Sequence, residues 1–361
     1  MKRVLIVINT AFVEFGGLTT VVMNYFRFMD KTGLKIDIAS TNHAEKKLVR
    51  EVREAGCEYY CLGERKNIVK YITNLNGLIR KNNYDIIHVH GNSATATLEL
   101  FNARLCGVPK RIVHIHNSTS SHMCLHKMLM PIFTRSYTDA VACSEKAAAW
   151  IFKPGTYQIL NNAIDTKRYS YSAETRQKLR KEHSAENKFI LCHVGKINEQ
   201  KNHTFLIKVF AEVVRIIPDA LLVLVGDGDL RSNIEKQADA AGIRKNVIFI
   251  GMCSNVQDYL SMGDVFVFPS LWEGLPLSLV EAQASGLKCV VSDKITKEAN
   301  VTDKVKYLSL ESSPKEWAEE VVRSREYDRS AECDDNIRLI TEEGFNIYHN
   351  AEKLRKLYLE K

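Results

Sequence analysis

Short apolar runs alternate with amphipathic stretches along the whole 361-residue chain, and this alternation constrains the fold more than any other feature. The run Val4–Ile8 is typical of a buried β-strand. The stretch after it carries Leu18, Val21, Tyr25 and further apolar residues three and four positions apart, as on one face of a helix. Repetition of strand, helix and strand predicts right-handed crossovers and parallel, doubly wound sheets.

The alternation occurs in two blocks, and a chain of this length has room for two domains. The polar stretch 165–188 lacks a long apolar run, so we interpret it as the connection between them. We therefore expect an α/β architecture of two Rossmann-like domains, at 1–165 and 166–344, with a helical segment from about 336 to 359. The predicted strands are 4–8, 35–39, 57–62, 85–89, 111–115, 140–143 and 158–160, then 189–194, 221–225, 247–250, 265–268 and 289–292. Ligands of such domains bind at the carboxyl ends of the strands.

Charge is distributed unevenly between the two predicted domains. Residues 1–160 hold 21 Lys and Arg against 12 Asp and Glu, whereas the rest of the chain is close to neutral. This excess favours an anionic partner for the first domain, such as a nucleic acid or an anionic membrane surface, or is simply a solvated basic surface. No nucleic-acid-binding motif accompanies the charge, so we expect no nucleic-acid partner. The basic segments are Lys46–Arg50, Arg53, Arg65–Lys66, Lys70 and Arg80–Lys81.

The cysteine pattern and the hydropathy of the sequence indicate the cellular compartment of the protein. The nine cysteines are scattered and form no CxxC pair, which is typical of reduced thiols in a cytoplasmic protein. No apolar run approaches the roughly 20 residues of a spanning helix. We expect a cytoplasmic protein that could also bind the inner face of the plasma membrane peripherally.

The segment 268–282 is the strongest functional signal. A predicted strand ends at Phe268, a loop carries Glu273 and Gly274, and Pro276 suits the first turn of a helix. The free N–H groups of that turn form a natural seat for a diphosphate. Glu273 and Glu281 are too far apart for a helical i,i+4 pair, so we expect them to hold two different parts of a long, hydroxyl-rich ligand.

A lysine-containing loop follows the first strand of the second domain. Lys196 and Lys201 are placed to neutralise a diphosphate as it departs. Near the N-terminus, Gly16–Gly17 lacks the G-x-G-x-x-G spacing, but a glycine pair still allows the backbone to approach a ligand closely.

Together these segments resemble the retaining glycosyltransferases of the GT-B fold, family GT4, which carry a Glu-x7-Glu motif. The resemblance covers nearly the whole chain. The matching segments, in the order of the family, are Gly16–Gly17, Asp85–His90, His114–Ser118, Asn161–Asp165, Gly195–Lys196, Gln200–Asn202, Gly226–Gly228 and Glu273–Glu281.

The resemblance implies two Rossmann-like domains that face each other across a deep cleft, with a C-terminal helix, about 345–361, that returns to the first domain. It implies hexose transfer from a nucleotide-diphosphate sugar, such as a UDP-sugar, to a glycan or lipid-linked acceptor in capsule, exopolysaccharide or lipopolysaccharide synthesis. The sugar nucleotide would be a substrate, and no cofactor would be needed. The anomeric configuration would be retained, with the leaving phosphate helping to deprotonate the acceptor.

The resemblance also assigns roles to residues. Glu273 would touch the hexose, Glu281 the ribose, and the backbone near Met252 the nucleobase. His116 would contact the hexose or acceptor, and Lys196 and Lys201 the diphosphate. The family usually has Arg where this chain has Lys196, which keeps the charge but loses bidentate geometry. The predicted donor-binding residues are Gly16, Gly17, Gly195, Gly226, Met252, Gly274, Leu275, Pro276, Leu277, Ser278 and Glu281.

We expect no metal site. His88, His90 and His114 lie within strands, where side chains alternate between faces, and no carboxylate accompanies them. Asp227-Gly228-Asp229 matches the Asp-x-Asp metal motif of a different glycosyltransferase fold, but here it follows a strand as a turn, and we expect Asp229 to cap the next helix.

Two other functions remain open from the sequence. A GT-B sugar-nucleotide 2-epimerase would bind the same donor without an acceptor, although the complete Glu273 and Glu281 motif argues against it. A non-catalytic subunit that binds a sugar nucleotide or a lipid is the other, and the intact lysines and glutamates argue against that.

Overall fold

The computed structural model describes residues 1–14, 16–119, 122–327, 329 and 333–360. It divides into two compact units, one of Met1–Ala163 with Ile347–Lys361 and the other of Ile164–Asn346. This division lies two residues from the predicted boundary. Within the described ranges, no helix combines the length and the apolarity needed to cross a bilayer.

The first unit is built on a seven-stranded parallel sheet in the order β3-β2-β1-β4-β5-β6-β7. From β1 the chain adds strands on one side of the sheet as far as β3, and from β4 it adds them on the other side. The topological switch point therefore lies between β1 and β4. The strands are β1 (Lys2–Ile8), β2 (Leu34–Ser40), β3 (Tyr59–Cys61), β4 (Ile86–Gly91), β5 (Lys110–Ile115), β6 (Asp139–Ala142) and β7 (Gln158–Ile159). The helices are α1 (Gly17–Phe28), α2 (Lys46–Glu54), α3 (Ile68–Asn82), α4 (Thr97–Leu105), α5 (Met123–Phe133) and α6 (Glu145–Ala149).

The second unit contains a six-stranded parallel sheet in the order β10-β9-β8-β11-β12-β13, with its switch point between β8 and β11. The strands are β8 (Ile190–Val194), β9 (Leu221–Val225), β10 (Val247–Gly251), β11 (Val265–Phe268), β12 (Lys288–Ser292) and β13 (Val305–Leu308). The helices are α7 (Ala173–Glu182), α8 (His203–Ile216), α9 (Arg231–Ala240), α10 (Val256–Met262), α11 (Leu277–Ala284), α12 (Pro314–Arg323) and α13 (Cys333–Glu342).

Helices cover both faces of each sheet, and this explains the continuous apolar runs in the sequence. Strands β9 and β11 are buried at every position, as expected for a parallel sheet with two covered faces. Residues of opposite faces belong to two separate core clusters in the second unit, one with Leu222 and Leu224 and the other with Val223 and Val225. The predicted doubly wound architecture is confirmed.

The interpretation of 165–188 as a connection is wrong. Helix α7 lies there and belongs to the second unit, where the Arg180 guanidinium donates to Asp264 at 2.7 Å. Asp264 also accepts from the backbone N–H of Ile190, so α7 is tied to the start of two strands. Helix α7 buries only Leu179 and the Arg180 stem, so it has almost no apolar periodicity to detect.

Two further elements differ from the predictions. Strand β13 is absent from them because it is a short edge strand whose residues are only partly buried. The single helical segment predicted from 336 to 359 is instead two helices. The chain turns at Gly344, whose φ of +80° suits glycine, before α14 (Ile347–Leu359) begins.

Helix α14 belongs to the first unit, where it packs against α1 and β1. Two lysines cap its carboxyl end. The Lys2 Nζ group donates to the carbonyls of Tyr358, Leu359 and Glu360, and Lys110 donates to Leu357 at 2.6 Å. Cations at this end of a helix satisfy free carbonyls and oppose the helix dipole. The last residue of the predicted helix, Lys361, lies outside the described residues.

Candidate functional site

Two loops meet at the switch point of the second unit. One follows β8 and contains Gly195 to Asn202, and the other follows β11 and contains Pro269 to Pro276. The backbone N–H of Leu271 donates to the carbonyl of Gln200 at 2.8 Å, and the Gln200 side chain donates to the carbonyl of Trp272 at 2.9 Å. The two loops can meet because β8 and β11 are neighbouring strands, and these hydrogen bonds hold them together.

The structure brings Lys201 and Glu273 into contact. Their Nζ and Oε1 atoms are 2.6 Å apart, with 14% and 9% of the side chains exposed. The same ammonium lies 4.4 Å from the centre of the Phe268 ring, within range of a cation–π interaction. The result is a largely buried, charge-assisted pair at the carboxyl edge of the sheet.

Two glycines make room for this lysine. A Cβ atom on Gly195 would lie 3.0 Å from Cε of Lys201, so the lysine stem crosses directly over that backbone. Gly226 has a φ of +129°, and a Cβ there would lie 2.1 Å from the carbonyl oxygen of Gly195. Both predicted glycine positions therefore serve close packing among the loops after β8 and β9.

Lys196 is placed differently from Lys201. Its side chain is 61% exposed, and its ammonium lies 3.7 Å from a carboxylate oxygen of Asp229. The prediction that Asp229 caps the next helix is wrong, because Leu230 is the N-cap of α9 and no side chain caps it. The first acid of the Asp-x-Asp sequence, Asp227, pairs with Arg231 at 3.3 Å.

The start of α11 lies directly after the Glu273 loop. Pro276 is the N-cap and Leu277 the first helical residue, and no side chain caps this end. Its first N–H groups thus remain available for an anion. Gly274 is exposed and has open space where a Cβ would point, and Ser278 is half-buried.

Glu281 is hydrogen-bonded to Tyr169, a residue that the sequence did not indicate as part of the site. Glu281 lies in the second turn of α11, and its carboxyl group shares a hydrogen bond with the hydroxyl of Tyr169. Burial raises the pKa of Glu281 to about 7, while the Tyr169 bond and the nearby Arg168 oppose that rise. Tyr169 follows the Asn161–Asp165 segment, and no periodicity marks its hydroxyl as polar and inward-facing.

Met252 lies at the same edge of the sheet. It is 58% exposed and follows Gly251, whose carbonyl accepts the backbone N–H of Gly226 at 2.9 Å. The structure thus gathers Gly195, Gly226, Met252, Lys196, Lys201 and Glu273 around the carboxyl ends of β8 to β11.

Four histidines are stacked in the first unit, an arrangement that the sequence pattern did not predict. Residues two apart share a face of a strand, and β4 and β5 are neighbours with His90 opposite His114. The ligand atoms of His88, His90 and His114 therefore all lie within 4.8 Å of one another, close enough for one ion, and their predicted separation onto alternate faces is wrong. The rings of His88 and His114 are nearly parallel, at 3°, so their lone pairs do not converge on one point.

His116 is the fourth member of this stack. Its Nδ1 lies 3.1 Å from Oδ1 of Asn162, and its Nε2 lies 2.8 Å from Nδ1 of His90. Burial lowers the pKa of His116 to about 4, so the ring is neutral at pH 7. A neutral ring that donates from Nδ1 to Asn162 accepts at Nε2, which makes His90 the donor in the second bond.

Gly16 and Gly17 lie after β1, at the start of α1. Gly16 is the N-cap and no side chain caps the helix. A Cβ on Gly16 would lie 3.1 Å from Cγ2 of Val13, whereas Gly17 has open space around it. The pair therefore lies at the carboxyl edge of the first sheet, next to the strand that carries His88 and His90.

Two family models match the chain. Residues 15–168 match the family described as Glycosyltransferase Family 4, and residues 175–331 match the one described as Glycosyl transferases group 1. EpsF of Bacillus subtilis (strain 168), which is named as a glycosyltransferase, is 31% identical over 90% of this chain and 88% of its own length. The UDP-Gal:alpha-D-GlcNAc-diphosphoundecaprenol alpha-1,3-galactosyltransferase of Escherichia coli is 27% identical over 81% of this chain and 79% of its own.

Solved structures give the same fold. The crystal structure of Anabaena Alr3699/HepE in complex with UDP matches with a TM-score of 0.79 and 15% identity, covering 99% of both chains. This likeness confirms the predicted GT-B fold.

Proposed function

The chain belongs to glycosyltransferase family 4, and on that premise we propose that it transfers a hexose from a UDP-sugar to an acceptor hydroxyl with retention of configuration and without a divalent metal. Its matches to named glycosyltransferases favour this activity over the 2-epimerase and the non-catalytic subunit. The observation that carries the proposal is the largely buried Lys201–Glu273 pair beside the uncapped start of α11.

The diphosphate of the donor would bind at the start of α11. Free N–H groups and the positive end of the helix dipole both favour an anion there. Lys201 has three N–H donors and uses one on Glu273, so the others can reach a phosphate. Preorganised charge of this kind stabilises the diphosphate as the glycosidic bond breaks. Lys196 would add a second, solvated cation.

The two glutamates would hold different parts of the donor. Glu273, fixed by Lys201, would accept hydrogen bonds from hexose hydroxyls, and Glu281 would accept from the ribose. UDP is the nucleotide we favour because the HepE structure contains UDP. The nucleobase would meet the exposed edge near Met252. The sugar nucleotide is a substrate in this scheme, and no cofactor takes part.

The proposal that no divalent metal is needed rests on the ion pairs of the two acidic residues after β9. Asp227 and Asp229 both lie beside cations, Arg231 and Lys196, so neither carboxylate is without a counterion. Lysines and a helix end would balance the diphosphate charge that a divalent ion balances elsewhere.

The acceptor would be a glycan or a lipid-linked sugar in the synthesis of a capsule, an exopolysaccharide or a lipopolysaccharide. The Escherichia coli relative is named for a diphosphoundecaprenol acceptor. With a lipid-linked acceptor of that kind, the reaction would take place in the cytoplasm, at the inner face of the membrane. His116 would contact the hexose or acceptor by exchanging one of its two internal hydrogen bonds.

A donor panel tests the proposal. The full chain is incubated with UDP-, GDP- and ADP-sugars, with and without a polyprenyl-diphosphate sugar acceptor and with and without EDTA. We expect UDP release that the acceptor accelerates, EDTA leaves unchanged, and Lys201→Met reduces far more than the solvent-exposed Lys196→Met.

Proton NMR of the product gives the anomeric configuration. Inversion would overturn retention, and loss of turnover in EDTA would overturn metal independence. An isomerised donor without transfer would instead identify a 2-epimerase.

A further inference from the structure

Helices α4 and α5 of the first unit carry large apolar side chains on their solvent side. Their inner residues, such as Leu100 and Phe133, belong to the core cluster that packs on the sheet. The outer ones are exposed, with 67% of Leu105 and 68% of Met128 accessible. We call this surface the α4–α5 face, and its apolar members are Phe101, Leu105, Leu125, Met128 and Ile132.

These residues are arranged as two stripes. Leu125, Met128 and Ile132 are spaced three and four apart, so they share one side of α5. Phe101 and Leu105 are four apart on α4, which packs against α5. Arg104 donates to the carbonyl of Arg135 at 2.6 Å and so links the ends of the two helices. Large apolar side chains exposed together on two packed helices indicate an interaction site.

Every exposed charge on the α4–α5 face is positive. Between residues 86 and 138 the only acidic residue is Glu99, which is buried and pairs with Arg65 at 2.9 Å. The exposed charged residues of α4 and α5 and the turn after them are Arg104, Lys127 and Arg135.

The basic segment on α2 is different, because acidic residues neutralise part of it. Lys47 pairs with Glu14, and Arg53 lies 3.7 Å from Glu58. The α4–α5 face therefore combines apolar area with unopposed positive charge, which the segment around α2 does not.

We propose that the α4–α5 face docks on an anionic lipid bilayer. Apolar side chains of an amphipathic helix enter the boundary between headgroups and acyl chains, and flanking Lys and Arg bind anionic headgroups. A second copy of this chain fits less well, because two such faces would bring like charges together. The inference deepens the proposed function, since a lipid-linked acceptor requires the enzyme at the bilayer.

Vesicle co-sedimentation of the full chain tests the docking without any donor or acceptor. The vesicles contain phosphatidylcholine alone or with phosphatidylglycerol. We expect binding only to the anionic vesicles, weakened by salt. The double variant Leu105→Asp/Met128→Asp should lower the partition coefficient by about tenfold or more. Lys127→Glu should lower it by about fivefold or more.

Matched controls lie on the second unit. Ile216→Asp changes an exposed apolar residue of α8, and Lys178→Glu changes an exposed cation of α7, so both should bind like the native chain. Circular dichroism checks that each variant folds. If the double variant does not fold, Lys127→Glu still tests the proposal, because it changes only a solvent-exposed side chain.

Three results would overturn the docking proposal. They are equal binding to neutral and anionic vesicles, undiminished binding by the α4–α5 variants, and a native dimer in light scattering that those variants dissociate. Vesicle binding by a chain that shows no sugar transfer would leave docking intact and would count against the proposed function alone.

Discussion

Replacing Lys201 with methionine removes one ammonium group and keeps most of the side-chain volume. The Nζ atom lies 2.6 Å from the Glu273 carboxylate, and both side chains are largely buried. Loss of one partner of a buried ion pair costs about 3–5 kcal/mol because the other charge is left unpaired. Since this pair lies at the edge of the sheet, we expect about 3 kcal/mol.

That loss is measurable as a change in melting temperature. For a domain of the size of the second unit, about 1 kcal/mol corresponds to about 2–4 °C, so Lys201→Met should lower the Tm by about 6–12 °C in differential scanning calorimetry. Lys196→Met is the matched control. Its side chain is 61% exposed, its ammonium lies 3.7 Å from the exposed Asp229 carboxylate, and such surface pairs contribute about 0–1 kcal/mol.

The double variant Lys201→Met/Glu273→Gln separates stability from catalysis. Glutamine removes the unpaired charge, so the Tm should recover most of the loss. Turnover should stay about 10²–10³-fold low, because the cation that faces the leaving diphosphate is still missing. A Tm loss in Lys201→Met no larger than that in Lys196→Met, or recovery of turnover in the double variant, would refute the reasoning.

Three further changes test the rest of the site. Burial raises the pKa of Glu281 from 4.5 to about 7, so its stabilising protonation is complete below pH 4.5 and is lost as the pH rises through 7. Glu281→Gln should therefore flatten the fall of Tm between acidic and mildly basic pH in a fluorimetric scan, and an unchanged slope would contradict this. Tyr169→Phe removes the hydroxyl that positions Glu281, so titration calorimetry should show UDP-sugar affinity about fivefold lower, whereas equal affinity would exclude a positioning role. Gly226→Ala should destabilise the protein by about 2 kcal/mol or more in thermal unfolding, since its Cβ would lie 2.1 Å from the Gly195 carbonyl, whereas Gly274→Ala should leave the Tm unchanged.

The sequence alone was sufficient for the α/β architecture and for most elements. Buried parallel strands such as β9 and β11 are continuous apolar runs, and helices such as α8 carry apolar residues at helical spacing. Helix α7 was missed because its role is to present Arg176 and Arg180 to Asp264, and ion pairs leave no periodic signal. The apolar pattern predicted one helical segment from 336 to 359, and only the family resemblance implied a separate C-terminal helix at about 345–361, where α14 lies.

The composition of the site was also readable from the sequence, but its contacts were not. The segments that carry Lys201 and Glu273 each follow a predicted strand, so both were expected at the carboxyl edge of a sheet. Their direct contact depends on β8 and β11 being neighbours, which is a property of strand order. Likewise, the bond between Tyr169 and Glu281 joins two segments more than a hundred residues apart in the chain.

Local patterns therefore determined which elements form and which loops carry chemistry, because backbone sterics and the burial of one face act over a few residues. Tertiary structure decided the partners of each polar group. The stacking of His88, His90, His114 and His116 illustrates this, since it follows from the pairing register of β4 and β5. The register and the order of the strands depend on the free energy of the whole packed domain. That free energy includes contacts between distant segments, so no short segment of the sequence determines it.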